Sequence, residues 1–320
     1  VGEGGKKSAV VDQAKKDKSK KKQKSEKKAA KMAKTEKKAK KKLKIDPLYP
    51  EFKALVGKMI NHVTQNLLKE IHSGFDTQEI NRRIMLTLTA FLQDRKAIYD
   101  KFKNNRKRKK HAMEEFERIQ GLLAECGSLS VVLKVLSHAK RNDEETITAA
   151  LELGKLLLEF GNKKCQDKIK EYFAGLSIRK GHEFFYEIHE HIRDLQKQLV
   201  VQPKWIKNLG QTGNDWVASK QVMLLRFLQL WAEGHRQELQ HLLRAQDFRK
   251  SFNILNDVVI SFDKLTQQIT SMGLEEMLQC DPLGLRVVVQ HLEFLIECLQ
   301  GPCEENQDYV INETRLALFV

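Results

Sequence analysis

Beyond residue 46 the apolar residues recur at three- and four-residue steps, the spacing that gathers them on one face of an α-helix. Phe52, Val56, Met59, Val63 and Leu67 make the first such face, and Ile80, Ile84, Leu88 and Phe91 the second. Residues 131–136 predict a short buried helix. Ile147, Ala150, Leu151, Gly154, Leu157 and Leu158 predict the next, closed by Gly161-Asn162, where a left-handed residue ends a helix at little cost. Cys165, Ile169, Tyr172, Phe173 and Leu176 follow as another face. Residues 201–220 carry Pro203, Gly210, Gly213 and Asn214 among polar residues and predict a linker. Past it, Leu224, Leu228, Trp231, Leu239 and Leu242 read as one long helix. Gly234 lies inside that helix, and close helix packing is the expected reason. Ile254, Val258, Phe262, Leu265 and Ile269 line the next. In the last, Asp281 serves as N-cap and Pro282 as the first helical residue. Leu285, Val288, Val289, Leu292, Leu295, Ile296 and Leu299 then repeat up to the stop at Gly301-Pro302. Strand-like alternation is scarce. About eight or nine helices with short connections predict an all-α, armadillo-like solenoid of antiparallel helix pairs, although no strict sequence period is visible.

Charge alters this picture in one place. The 320 residues carry a net charge of +15, which points to nucleic acid or an anionic surface until it is located along the chain. Residues 1–44 hold 19 lysines against 5 acids, a net +14, so the rest of the chain is nearly neutral. That run has almost nothing apolar to bury and reads as a disordered lysine-rich tail. Ile45-Asp46-Pro47-Leu48-Tyr49-Pro50 marks its boundary, and a second basic run, residues 101–111, interrupts the helical part. No stretch of about 18 uncharged apolar residues predicts a membrane-spanning helix, and the amino terminus has no secretory pattern. The chain starts without Met and stops in Leu316-Ala317-Leu318-Phe319-Val320, so both ends read as cuts in a longer polypeptide. Five scattered cysteines, Cys126, Cys165, Cys280, Cys298 and Cys303, suit a reducing compartment rather than a disulfide framework.

Candidate chemistry is sparse. His182, Glu187, His189 and His191 cluster, yet His189 and His191 are two residues apart and point to different sides of a helix, which does not suit a metal. Cys298 and Cys303 straddle a helix end and read as ordinary buried thiols. Gly-rich phosphate loops, nucleophile elbows and calcium-loop spacings are missing from the sequence. No residue is assigned as catalytic, cofactor-binding or metal-binding, no cofactor is expected, and the chain reads as a non-enzyme. The tail and Arg106-Lys107-Arg108-Lys109-Lys110 offer contact with acidic protein, lipid or RNA, without the interleaved aromatics that favour single strands in the tail.

One segment carries an identity. Leu225-Arg226-Phe227-Leu228-Gln229-Leu230-Trp231-Ala232-Glu233-Gly234-His235, with Leu239-Gln240, Leu243-Arg244 and Gln246, resembles a helical segment of the intracellular calcium-release channels, the inositol trisphosphate and ryanodine receptors. That segment is their receptor homology associated domain. Leu299-Gln300-Gly301-Pro302-Cys303 and Glu305-Asn306-Gln307 are similar to a second element of it, and Trp231-Ala232 stands where Leu-Cys is usual. Upstream, residues 151–166 resemble the preceding homology domain, so the resemblance covers roughly residues 128–307. It divides the chain into a tail (1–44), a helical segment without recognised relatives (45–127), a homology-like region (128–200), the linker (201–220) and the associated domain (221–320).

The resemblance implies a cytosolic solenoid section of a large tetrameric ligand-gated calcium-release channel of the endoplasmic or sarcoplasmic reticulum membrane. Its partners would be other segments and subunits of that channel, and its work the transmission of conformational change between a ligand-binding region and the pore. No small-molecule site is expected in this section. A free-standing helical scaffold whose basic tail binds RNA or acidic partners is the alternative.

Overall fold

The computed structural model describes residues 49–68, 75–102, 104–138, 143–200, 215–246, 251–270, 275 and 279–314. Among them there are twelve helices and no strand. In chain order these are α1 (Tyr49–Leu68), α2 (Phe75–Lys101), α3 (Arg106–Glu125), α4 (Ser128–Ser137), α5 (Glu144–Leu158) and α6 (Lys163–Ala174). They continue with α7 (Ile178–Val200), α8 (Asp215–Ala232), α9 (Gln237–Arg244), α10 (Ile254–Thr270), α11 (Pro282–Leu299) and α12 (Glu304–Glu313). A compact unit begins at Lys53.

The helices stack in three rows. One row is α2, α5, α8 and α11, each packed on the next. A second is α3, α6, α9 and α12, and a third α4, α7 and α10. Each step of the all-α, armadillo-like solenoid is therefore a triplet, α2–α4, α5–α7 and α8–α10, with α11 and α12 beginning a fourth. The triplet explains why a reading by helix pairs finds no period, because the short helices α6 and α9 have only about two or three turns in which to show one.

Local chemistry starts these helices. Asn105 accepts from the Arg108 backbone N–H at 3.1 Å and opens α3. Asp143 accepts from Thr146 at 2.6 Å and opens α5, whose first turn also carries Glu144 and Glu145 against the positive end of the helix dipole. Asp281 accepts from the Leu283 backbone N–H at 2.8 Å with Pro282 in the first turn of α11, as its sequence predicts.

The core concentrates where the rows meet. Trp231 is fully buried among Phe184, Phe173 and Phe227, with ring centroids at 5.9, 5.7 and 5.6 Å. This cluster joins α6, α7 and α8. Gly154 in α5 lies against Phe227 of α8 so closely that a Cβ there would meet the ring at 2.6 Å. Only glycine lets these two helices approach this far.

Several expectations need correction. Gly234 is not packed inside a helix: its φ is +79°, nothing lies within 4 Å of where its Cβ would stand, and it ends α8 before α9 begins. The single long helix expected there is two. In α2 the buried side is Asn81, Met85, Leu88, Thr89 and Leu92, whereas Ile80 is exposed, so the face is rotated by one residue from the predicted one. In α11 the core face is Gly284, Val287, Gln290, His291, Phe294, Leu295 and Cys298. Leu285, Val289, Leu292 and Ile296, which the period placed inside, are exposed. Of the expected linker, residues 201–214 lie outside the described residues and 215–220 form the start of α8. The lysine-rich tail also lies outside them.

Candidate functional site

α5, α8 and α11 end alike. Each is followed by a glycine with a left-handed backbone, Gly161 at φ +63°, Gly234 at +79° and Gly301 at +85°. A short helix of the second row comes next, and its fourth residue is in every case a glutamine: Gln166 in α6, Gln240 in α9 and Gln307 in α12. Two of these glutamines clamp the next unit. The Gln166 amide donates from Nε2 to the Leu230 carbonyl at 3.0 Å and the Glu233 carbonyl at 2.8 Å, at the end of α8. Gln240 donates to the Glu297 and Gln300 carbonyls at the end of α11, both at 2.7 Å. Gln120 of α3 does the same one unit earlier, to Leu156 at 2.7 Å and Glu159 at 3.1 Å, at the end of α5. The chemistry fits, because the last carbonyls of a helix lack intrahelical partners and a primary amide has two N–H donors to offer them. All three glutamines are buried.

The turns stack as well. Where Gly161 would carry a Cβ, the Glu233 carbonyl lies at 3.4 Å, and at Gly301 the His235 Cβ would be 2.8 Å away. Asn162 ties the first turn twice. It caps α6 by accepting from Lys164 and Cys165, and it donates to the Gln120 Oε1 at 2.8 Å and the Glu117 carbonyl at 3.0 Å. Across the second row, ion pairs run from unit to unit, Lys170 to Glu238 at 3.0 Å and Arg236 to Asp167, and Arg244 donates to the buried Asn306 side chain at 2.8 Å. Buried amides thus fix the helix ends while solvent-screened charges join the row outside them.

A buried polar network occupies the interface of α8, α10 and α11. His291 is fully buried. Its Nδ1 lies 2.8 Å from the Val287 carbonyl and therefore carries the proton, leaving Nε2 to accept from the Ser261 hydroxyl at 3.0 Å and the Gln221 amide at 3.2 Å. Burial holds this histidine neutral, with its pKa lowered to about 4. Nearby Gln290 donates to Gln229 at 2.7 Å, both buried. Gln229, Arg236 and Gln240 thus all contact residues of neighbouring helices.

The histidines singled out by sequence go separate ways. His189 pairs with Asp257 of α10 at 2.6 Å, whereas burial lowers the pKa of His191 to about 4. Among the described residues no group of three or more metal-ligating side chains comes together. Cys298 and Cys303 are buried free thiols, and burial raises the pKa of both. The basic run forms the corner between α2 and α3. Arg108 stands 5.6 Å over the Phe102 ring and Lys109 5.2 Å over Tyr99. Beside them Arg95, Lys107, Arg108 and His111 rim a cavity of about 450 Å³ floored by Ile98 and Phe116. No single helix among the described residues is long and apolar enough to cross a membrane.

Two of the clamps carry a sequence signal, a glycine turn and, five or six residues later, a glutamine, at Gly161/Gln166 and Gly234/Gln240; Gly301/Gln307 repeats the spacing, and Gln120 lacks it.

Comparison with known proteins locates the same region. Residues 218–320 match the family described as RyR and IP3R Homology associated. The inositol 1,4,5-trisphosphate receptor itr-1 of Caenorhabditis elegans is 33% identical over 85 residues, which is 27% of this chain. Those residues span 3% of that receptor's length. The residues quoted above from Leu225 to Gln307 lie inside the family match, and residues 151–166 lie upstream of it.

Proposed function

We propose that this chain, whose residues 218–320 match the family described as RyR and IP3R Homology associated, is a cytosolic helical section of a ligand-gated intracellular calcium-release channel. The parent is a tetramer in the endoplasmic or sarcoplasmic reticulum membrane, and other segments and subunits of it are the partners of this section. The section passes conformational change from a ligand-binding region to the pore. The homology-like region at 128–200 belongs to the same machine.

One observation supports this reading above the others. The clamp by Gln166 joins α6, upstream of the family match, to α8 within it, and the same device recurs on either side through Gln120 and Gln240. A rotation of one helix end is then imposed on the next, because each clamp bonds a side chain of one unit to the backbone of its neighbour. Packed helices shift by small rigid steps rather than by continuous deformation. The test is a recording from the full-length protein in a planar bilayer, with inositol 1,4,5-trisphosphate as the first agonist. A calcium current that the agonist opens is expected. Absence of any cation current under any agonist of this receptor class would overturn the reading.

A second reading, a scaffold that binds RNA or acidic protein through its basic segments, is favoured by the cations standing over Phe102 and Tyr99 at the α2–α3 corner. It expects a salt-dependent shift of labelled RNA that vanishes when residues 106–110 are neutralised. A shift that survives that change, or none at low salt, removes it.

A further inference from the structure

The outward face of α11 repeats the face of α8 that α11 covers. Counted back from the turn glycines, Ile296 lies five residues before Gly301, as Gln229 does before Gly234. Leu292 corresponds in the same way to Leu225, and Leu285 to Ala218. In α8 these positions are buried: Ala218 and Leu225 are fully so, and Gln229 accepts from Gln290 of α11. In α11 their counterparts Leu285, Leu292 and Ile296 are 44%, 40% and 49% exposed, with Val289 at 42% beside them. Four large aliphatic side chains left part-exposed on one stripe are costly to leave in water.

The second row repeats the same omission. Gln307 holds the fourth position of α12, where Gln166 and Gln240 reach forward to the following unit. Instead it folds back, donating to the Leu299 carbonyl at 2.7 Å and the Gly301 carbonyl at 3.1 Å of its own turn. Two independent features, an aliphatic stripe and a clamp without a forward partner, thus sit at the positions where α8 and α9 receive α11.

We infer that this face is an interface for one further helix of the same row, supplied by the polypeptide beyond Val320, and that Gln307 clamps the end of that helix. The source follows from the order of the rows, because α5, α8 and α11 each arrive from the chain that follows the previous triplet. The occupant is an amphipathic helix with an apolar stripe towards α11. It ends in a left-handed glycine that stacks on the Gly301 turn, as Gly301 stacks on His235. The inference rests on the proposal that this chain is a section of a larger receptor.

Labelling separates the possibilities. Ile296→Cys and Leu292→Cys are introduced both into the 320-residue chain and into the full-length protein, and maleimide modification at each position is followed by peptide mapping, which excludes the native thiols. The expected result is rapid modification in the 320-residue chain and modification at least about 10-fold slower in the full-length protein. Gln307→Leu in the full-length background should restore part of the rate. Equal rates in the two proteins overturn the inference. So does protection in the 320-residue chain that appears with rising concentration, since a second copy would then be the occupant. The readout needs no current, so loss of the channel proposal and loss of this interface are told apart.

Discussion

Replacing Gln166 by leucine removes one clamp and keeps nearly the same volume. The amide donates to two carbonyls, Leu230 at 3.0 Å and Glu233 at 2.8 Å, at the buried end of α8. Each carbonyl left without a donor costs about 1–3 kcal/mol. Against this, the Gln166 Oε1 is itself buried without a partner, and removing it returns part of the loss. The net expectation is a destabilisation of about 2–3 kcal/mol. Gln240→Leu should behave alike, because its geometry is the same and its Oε1 is equally unpartnered. Gln166→Glu should lose at least as much at neutral pH, since it turns a carboxylate oxygen towards two carbonyl oxygens. The assay is urea unfolding of the 320-residue chain followed by far-ultraviolet circular dichroism, with the slope of the transition checked for constancy. Gln93→Leu on the exposed side of α2 is the control and should stay within about 0.5 kcal/mol. If Gln166→Leu and Gln240→Leu also stay within about 0.5 kcal/mol, the glutamines are not clamps and the reasoning fails.

The turn glycines should differ among themselves. Gly234→Ala meets open space and should cost only the left-handed backbone, about 1–2 kcal/mol. Gly301→Ala adds a contact with the His235 Cβ at 2.8 Å and should cost about 1–3 kcal/mol more, a gap that His235→Gly, which removes that Cβ, narrows in thermal unfolding. Gly154→Ala should destabilise by about 1–3 kcal/mol through the contact with Phe227, and Phe227→Leu should relieve it; an unchanged melting temperature for Gly154→Ala would remove the close approach of α5 and α8. His291 takes up a proton near pH 4 when folded and near its ordinary 6.5 when unfolded, so the unfolded chain binds the proton first. Stability should therefore fall as the pH drops from about 6.5 towards 4, by up to about 3 kcal/mol from this residue, and His291→Gln should flatten that dependence in urea titrations.

Much of the fold was legible because amphipathic helices announce themselves by period. The all-α architecture, the cap at Asp281, the turn at Gly161 and the stop at Gly301 all followed from local chemistry. What failed was the choice of face. In α11 apolar residues occupy two faces, Val287, Phe294 and Leu295 on one and Leu285, Leu292 and Ile296 on the other, and a three-and-four step fits either. Only packing against α8 and α10 decides which is buried. Gly234 misled for a similar reason: apolar residues resume at Leu239 in step, so a broken helix reads as continuous. The clamps of Gln166 and Gln240 show in the sequence only as the glycine-to-glutamine spacing, because glutamine in a short polar helix carries no hydrophobic signal and its partners lie 57 to 67 residues away.

In the proposed function the clamps carry motion between units of a calcium-release channel. The direct measurement is single-channel recording of the full-length protein with and without Gln240→Leu, at matched protein levels. The account predicts an unchanged unitary calcium conductance and an agonist midpoint displaced by about 5-fold or more, because the pore is untouched and the coupling is not. A midpoint and open probability that stay the same while Gln240→Leu measurably loosens the fold would contradict it.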